Sequence, residues 1–130
     1  MTYVDTSAVL ALLFREPGGL TVRRHLKSQA HVLSSVLIIA EVLSALSREG
    51  IALDAADALL ESLELVATDE WLKAECEEVL KTGHLRGANL WHVATALKVV
   101  GDFPRENMVF LTLDVSQGAV AKKLGFHVRL

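Results

Sequence analysis

With 130 residues the chain has the length of one domain, 1–130, and enough of it to bury a sizeable core. Hydrophobic residues at 52% point to a thoroughly buried sheet and an apolar oligomer surface, while a formal charge of −3 argues against a broad basic face for nucleic acid. The single cysteine, Cys76, excludes an internal disulfide framework, and apolar runs such as 36–40 are far too short to span a bilayer.

That charge still leaves room for a nucleic-acid substrate held through a metal ion and a few local cations. With no leader pattern ahead of Asp5, the expectation is a soluble cytoplasmic protein in a reducing compartment.

Residues 2–4 (TYV) read as a strand that runs into Asp5, and 6–14 as an apolar helix. A carboxylate is thereby delivered at the carboxyl end of a buried strand, where open α/β sheets place their ligand crevice. Arg15-Glu16-Pro17-Gly18-Gly19 is a break. A short amphipathic helix follows over 20–28, with Leu20, Val22 and Leu26 expected inward and Arg23, Arg24 and Lys27 outward. Residues 31–34 are a second strand and 35–48 a helix that Ser34 or Ser35 caps, ended by Gly50. Asp54 is expected to cap 55–63, and 64–67 is a third strand. Thr68 or Asp69 is expected to cap a helix over 70–81, acidic at its start and basic at its end. After a loop, 88–100 is an apolar helix closed by a turn at 101–104. The fourth strand, 109–113, runs into Asp114 and so repeats the strand, Asp, helix order of the first fourteen residues. A last helix over 116–124 and a fifth strand over 126–130 complete the pattern. Short apolar strands alternating with helices predict an α/β fold, a three-layer α/β/α sandwich around a parallel sheet of about five strands.

Glu41 is the least ordinary residue. Helical spacing surrounds it with Leu37, Ile38, Ser44 and Ala45. An unpartnered carboxylate buried there would cost several kcal/mol, roughly, so it neutralises or binds a cation. The plainer reading is a narrow polar stripe with Ser34, Ser44 and Arg48. Asp5 and Asp114 also read as helix caps, and 114–117 (DVSQ) fits a capping box. Capping and metal binding are compatible, because a carboxylate has two oxygens and helix N-termini favour anions. Thr6, Ser7 and Thr112 add hydroxyls at the same crevice. Asn89 opens the apolar helix, as a cap or a ligand, and His92 one turn on reads first as a hydrogen-bonded core histidine. Trp71 and Trp91 read as core or interface residues. Arg86 is either a solvated loop arginine or within reach of a phosphate.

Other chemistries lack their motifs. There is no GxGxxG after the first strand, no Walker loop and no nucleophile elbow. Cys76 sits on an acidic helix that disfavours a thiolate. No second Asp stands two residues after Asp5, which disfavours an aspartyl-phosphate phosphatase.

Four segments remain: YVDTSAVLALL around Asp5, SSVLIIAEVLSAL around Glu41, LRGANLWHVATAL around Asn89 and VFLTLDVSQGAVAKKLGF around Asp114. Together they span nearly the whole chain, and in this order it resembles the PIN-domain ribonucleases, within them the VapC-type toxins of toxin–antitoxin pairs. The resemblance implies an Mg2+- or Mn2+-dependent endoribonuclease, usually a homodimer, that cleaves RNA and is inhibited by a small cognate antitoxin protein. Asp5, Glu41 and Asp114 match the family's acidic positions. Asn89 stands where LRGAD-type segments carry a further Asp, so one negative charge is lost and metal affinity should fall. In that frame Asp5 and Asp114 hold the principal ion, with Glu41 as a ligand or water-orienting base. Asn89 orients a metal-bound water or helps hold a second ion, and Ser7 and Thr112 fix the carboxylates. The alternative, raised by Asn89, is a catalytically silent PIN-like module that binds RNA or protein.

Overall fold

Five short runs rich in β-branched and aromatic side chains form the strands of one sheet. In a computed structural model, which describes residues 1–68 and 71–129, they are β1 (Thr2–Val4), β2 (Val32–Ser35), β3 (Glu64–Val66), β4 (Val109–Leu111) and β5 (His127–Arg129). All pair in parallel, in the order β3-β2-β1-β4-β5. Between them run α1 (Thr6–Leu13), α2 (Gly19–Ser28), α3 (Leu37–Arg48), α4 (Asp57–Glu61), α5 (Lys73–Thr82), α6 (Gly87–Val100) and α7 (Val115–Lys123). The predicted three-layer α/β/α architecture is what forms.

Side chains of a strand alternate between faces, and the central strands show why both layers exist. Tyr3 and Phe110 stack at a centroid distance of 5.4 Å, in a core that includes residues of α5, α6 and α7. Val4 and Leu111, one residue on, point the other way, into a core shared with α1, α2 and α3. α1 and α2 approach closely enough that a Cβ on Gly19 would lie 2.5 Å from the Ala11 carbonyl oxygen, so only glycine fits there. Among the described residues, no helix is long and apolar enough to cross a membrane.

Several local expectations are corrected. Leu20 is 69% exposed. The buried stripe of α2 runs through Gly19 and Val22, and Leu20 lies about 100° round the helix from Gly19. The third helix begins at Leu37, because Ser34 and Ser35 are strand residues; the Leu37 N–H nevertheless donates to Ser35 Oγ at 3.1 Å. Asp54 caps no α-helix: Leu53–Ala56 is a tight 3-10 turn that buries Ala56, and α4 starts only at Asp57. α5 starts at Lys73, after Leu72 in a left-handed conformation (φ 33°), and no side chain caps it. The expected cap Asp69 and helix start Glu70 lie outside the described residues, as does Leu130, the expected last residue of the fifth strand. Trp71, expected in a core or interface, is 82% exposed, which excludes the core and leaves the interface reading.

Candidate active site

Chain order explains where a site forms. β1, β2 and β3 build outward in one direction, and the chain then returns to lay β4 and β5 on the other side of β1. The carboxyl ends of β1 and β4 therefore flank the reversal point of the sheet, where α/β folds open a crevice. Asp5 follows β1 and Asp114 follows β4.

Asp5 caps α1, and its Oδ1 accepts the Ala8 N–H at 3.0 Å. Its Oδ2 accepts the Thr112 hydroxyl at 2.6 Å, and Ser7 Oγ lies 2.8 and 2.9 Å from the two oxygens. Burial raises the Asp5 carboxyl above its ordinary range, and those hydrogen bonds offset the effect only in part. Asp114 caps α7, accepting the Gln117 N–H on Oδ1 at 2.8 Å. The two halves are stitched by hydroxyls. Thr112 Oγ1 also accepts the Asp114 N–H at 3.0 Å, and Ser7 Oγ accepts the Leu113 N–H at 2.9 Å.

Asn89 is not a cap. Arg86 takes that place at the start of α6, leaving the Asn89 side chain to donate to Asp114 Oδ2 at 3.3 Å. Buried Gln117 locks this arrangement, its Nε2 donating to the Asn89 carbonyl at 3.1 Å. Gln117 was legible only as the last residue of a capping box; its backbone fulfils that role while its side chain reaches across to α6. Arg86 is exposed, and among the described residues no hydrogen bond ties its side chain to the cluster.

Glu41 finds its partner across the fold. Its Oε1 accepts from His92 Nε2 at 2.7 Å and from Thr6 Oγ1 at 2.8 Å. Burial pushes its carboxyl up, but the hydrogen bonds from His92 and Thr6 outweigh this and hold it below the usual range. Behind His92, Tyr3 OH lies 2.8 Å from Nδ1 and accepts the Ser35 N–H at 3.0 Å. Tyr3, Ser35 and His92 are buried, and burial drives the phenol above its ordinary range. The core-histidine reading of His92 holds; its link to Tyr3 and Glu41 lay beyond any local pattern.

Asp5, Asp114 and Asn89 thus meet through Thr112 and Gln117, while Glu41 joins through Thr6, the residue after Asp5. Among the described residues, no three His, Cys, Asp or Glu side chains converge closely enough to hold a metal ion between them. The donor set nevertheless suits a hard dication, since magnesium asks for one or two carboxylates and fills its other positions with water and substrate phosphates.

The chain matches the PIN domain over residues 2–128. It is 33% identical over 127 residues to Ribonuclease VapC46 of Mycobacterium tuberculosis (strain ATCC 25618 / H37Rv), covering 97% of this chain and 94% of that protein. Paired carboxylates at the sheet reversal and a likeness that runs almost end to end agree: the chain belongs to the PIN-domain family, among its VapC-type ribonucleases.

Proposed function

We propose that this chain is a metal-dependent endoribonuclease, the toxin of a type II toxin–antitoxin pair, acting in the cytoplasm as a homodimer. The observation that carries the reading is that Asp5 and Asp114 follow adjacent parallel strands at their carboxyl ends, the Thr112 hydroxyl donating to the Asp5 carboxylate and accepting the Asp114 backbone N–H. Asp5 and Asp114 would hold Mg2+ or Mn2+, with Glu41 and the Asn89 amide oxygen as further oxygen donors. When bound, such an ion supplies an activated water and neutralises charge on the attacking and leaving oxygens of a phosphodiester. The chain's own residues prepare that step. Ser7 and Thr112 hold the Asp5 carboxylate in one orientation, and His92 with Thr6 holds Glu41 ionised toward the crevice. Arg86, exposed at the start of α6, is the residue to meet a substrate phosphate.

The test is incubation with single-stranded and structured RNA in magnesium, manganese or EDTA. Cleavage appears with the metals only and disappears in Asp5→Ala; cleavage surviving both EDTA and that change defeats the reading. One observation favours the silent binding module instead: Asn89 presents its N–H2, not a carboxylate, to Asp114. Asn89→Asp restores the missing charge and should tighten manganese binding by about 1–3 kcal/mol, roughly ten- to hundredfold. If both proteins stay inert at saturating metal, the binding-module reading replaces the nuclease.

An antitoxin partner follows from the same electrostatics. Without an ion, carboxylates gathered at one crevice attract a basic segment, arginine above all. Asp5→Ala/Asp114→Ala should therefore weaken the complex with the antitoxin in a pull-down titration. Unchanged affinity would mean that a basic side chain entering the site is not what inhibits.

A further inference from the structure

A second polar feature lies on the α2 face of the sheet. The helices of this layer leave the edge strand β5 partly uncovered, and a cleft of about 540 Å³ opens between β5 and α2. Thr21, Arg24, His25 and Ser28 form its helical wall, spaced three or four residues apart and so on one face. His127 and Arg129, two apart on β5, form the other wall. Neither Gly19–Ser28 nor His127–Arg129 contains an Asp or Glu, in a chain with 16 acidic and 13 basic residues. Among the described residues, neither Arg24 nor Arg129 is in an ion pair. His25 registers the unbalanced field: burial lowers its pKa first, and the nearby Arg129 and His127 push the same way.

The cleft adjoins the carboxylate crevice. The Arg129 carbonyl accepts the N–H of Thr112, the residue whose hydroxyl holds Asp5, at 3.1 Å. Arginines, a histidine pair and two hydroxyls, with no Phe, Tyr or Trp beside them, favour contact with phosphates and sugars over stacking on bases. Leu111 and Val128 also line the cleft, the first fully buried and the second half-buried, so the apolar surface open to a peptide's anchoring side chains is small.

We propose that the cleft between α2 and β5 binds the phosphodiester backbone of single-stranded RNA beside the phosphate held at Asp5 and Asp114. This rests on the ribonuclease reading, and it adds a sequence-independent contact that gives an acidic protein a local grip on a polyanion.

The experiment is a fluorescence-anisotropy titration of a labelled single-stranded RNA, in EDTA so that nothing is cut, at several salt concentrations. Arg24→Gln/Arg129→Gln is compared with Arg23→Gln/Lys27→Gln, which removes the same charge from outside the cleft wall. The cleft pair should lose roughly tenfold in affinity, and its slope of log K against log salt should fall by about 1.4, near 0.7 per lost phosphate contact. The control pair should lose distinctly less. Equal losses in both pairs, or an unchanged slope in the cleft pair, overturn the proposal. So does polyglutamate competing as well as RNA of equal charge, which would make the occupant a polypeptide. Binding is read without turnover, so the two readings fail separately. Loss of binding in the cleft pair without cleavage by any metal form keeps the cleft and removes the nuclease. Cleavage with no loss of binding in the cleft pair does the reverse.

Discussion

Asp5→Asn lowers RNA cleavage by at least about a hundredfold, a loss of some 3 kcal/mol of transition-state stabilisation, without harming the metal-free fold. The size follows from what is removed: the buried negative charge at the centre of the proposed metal site. The tolerance of the fold follows from the neighbours. An introduced amide oxygen still accepts the Ala8 N–H and caps α1. Its N–H2 meets Thr112 Oγ1, which then turns its own proton to Gln117 Oε1, already 3.2 Å away. The pH dependence provides a second signature. Because burial raises the Asp5 carboxyl, its contribution to stability is full below the unfolded pKa and is lost as pH rises through the folded value. The substitution removes that titration, so metal-free melting should match wild type in acid and equal or exceed it near neutral pH. A variant that cleaves within tenfold of wild type would remove Asp5 from the chemistry. One that melts far lower at neutral pH would show that the carboxylate is needed for folding instead.

Tyr3→Phe destabilises the protein by about 2–4 kcal/mol, although it deletes a single oxygen, because it strands two buried polar groups. The Glu41 carboxylate can only accept, so in the neutral imidazole Nε2 carries the proton and the phenol, which accepts the Ser35 N–H, gives its own proton to Nδ1. Burial holds that proton in place by raising the phenol's pKa. His92 Nδ1 is therefore an acceptor, and the ring carries its proton on Nε2, facing Glu41. Loss of the phenol leaves Ser35 N–H and Nδ1 unpaired in a dry site and frees the ring to adopt the other tautomer. Urea unfolding reads the first effect. Nitrogen-15 NMR of the imidazole reads the second, with the Nε2–H form in wild type giving way to a mixture. His92 acts as a positioning residue for Glu41, so cleavage should fall roughly ten- to hundredfold, as when an outer hydrogen-bond partner is lost. An Nδ1–H tautomer in wild type, or a stability loss under about 1 kcal/mol, would break this chain of donors.

What could be read from the chain alone was local. Runs such as 2–4 and 109–113 announce strands through their apolar, β-branched and aromatic residues, and the carboxylate after each announces both a helix start and the ligand end of a parallel sheet. The alternation of strands and helices made the three layers legible. The motif segments around Asp5, Glu41, Asn89 and Asp114 made the family legible. Where local signals misled, a tertiary contact had outbid them. Asn89 reads as a cap until Asp114, 25 residues away, takes its amide. Ser34 reads as a cap until its hydroxyl is claimed by the Val4 carbonyl at 2.7 Å.

Only the tertiary structure decided which of these features meet. The order β3-β2-β1-β4-β5 makes β1 and β4 neighbours, and without it two strand-end aspartates are merely two caps. Glu41 announced itself as an acid in apolar surroundings, but that its partner would be His92, 51 residues on, depended on α3 and α6 converging at β1. The cleft beside β5 was invisible for the same reason: its two walls lie at opposite ends of the chain. Helix and strand periods are written in neighbouring residues, whereas a hydrogen bond or a gap between elements depends on how distant surfaces pack, and that is settled only when the whole core closes.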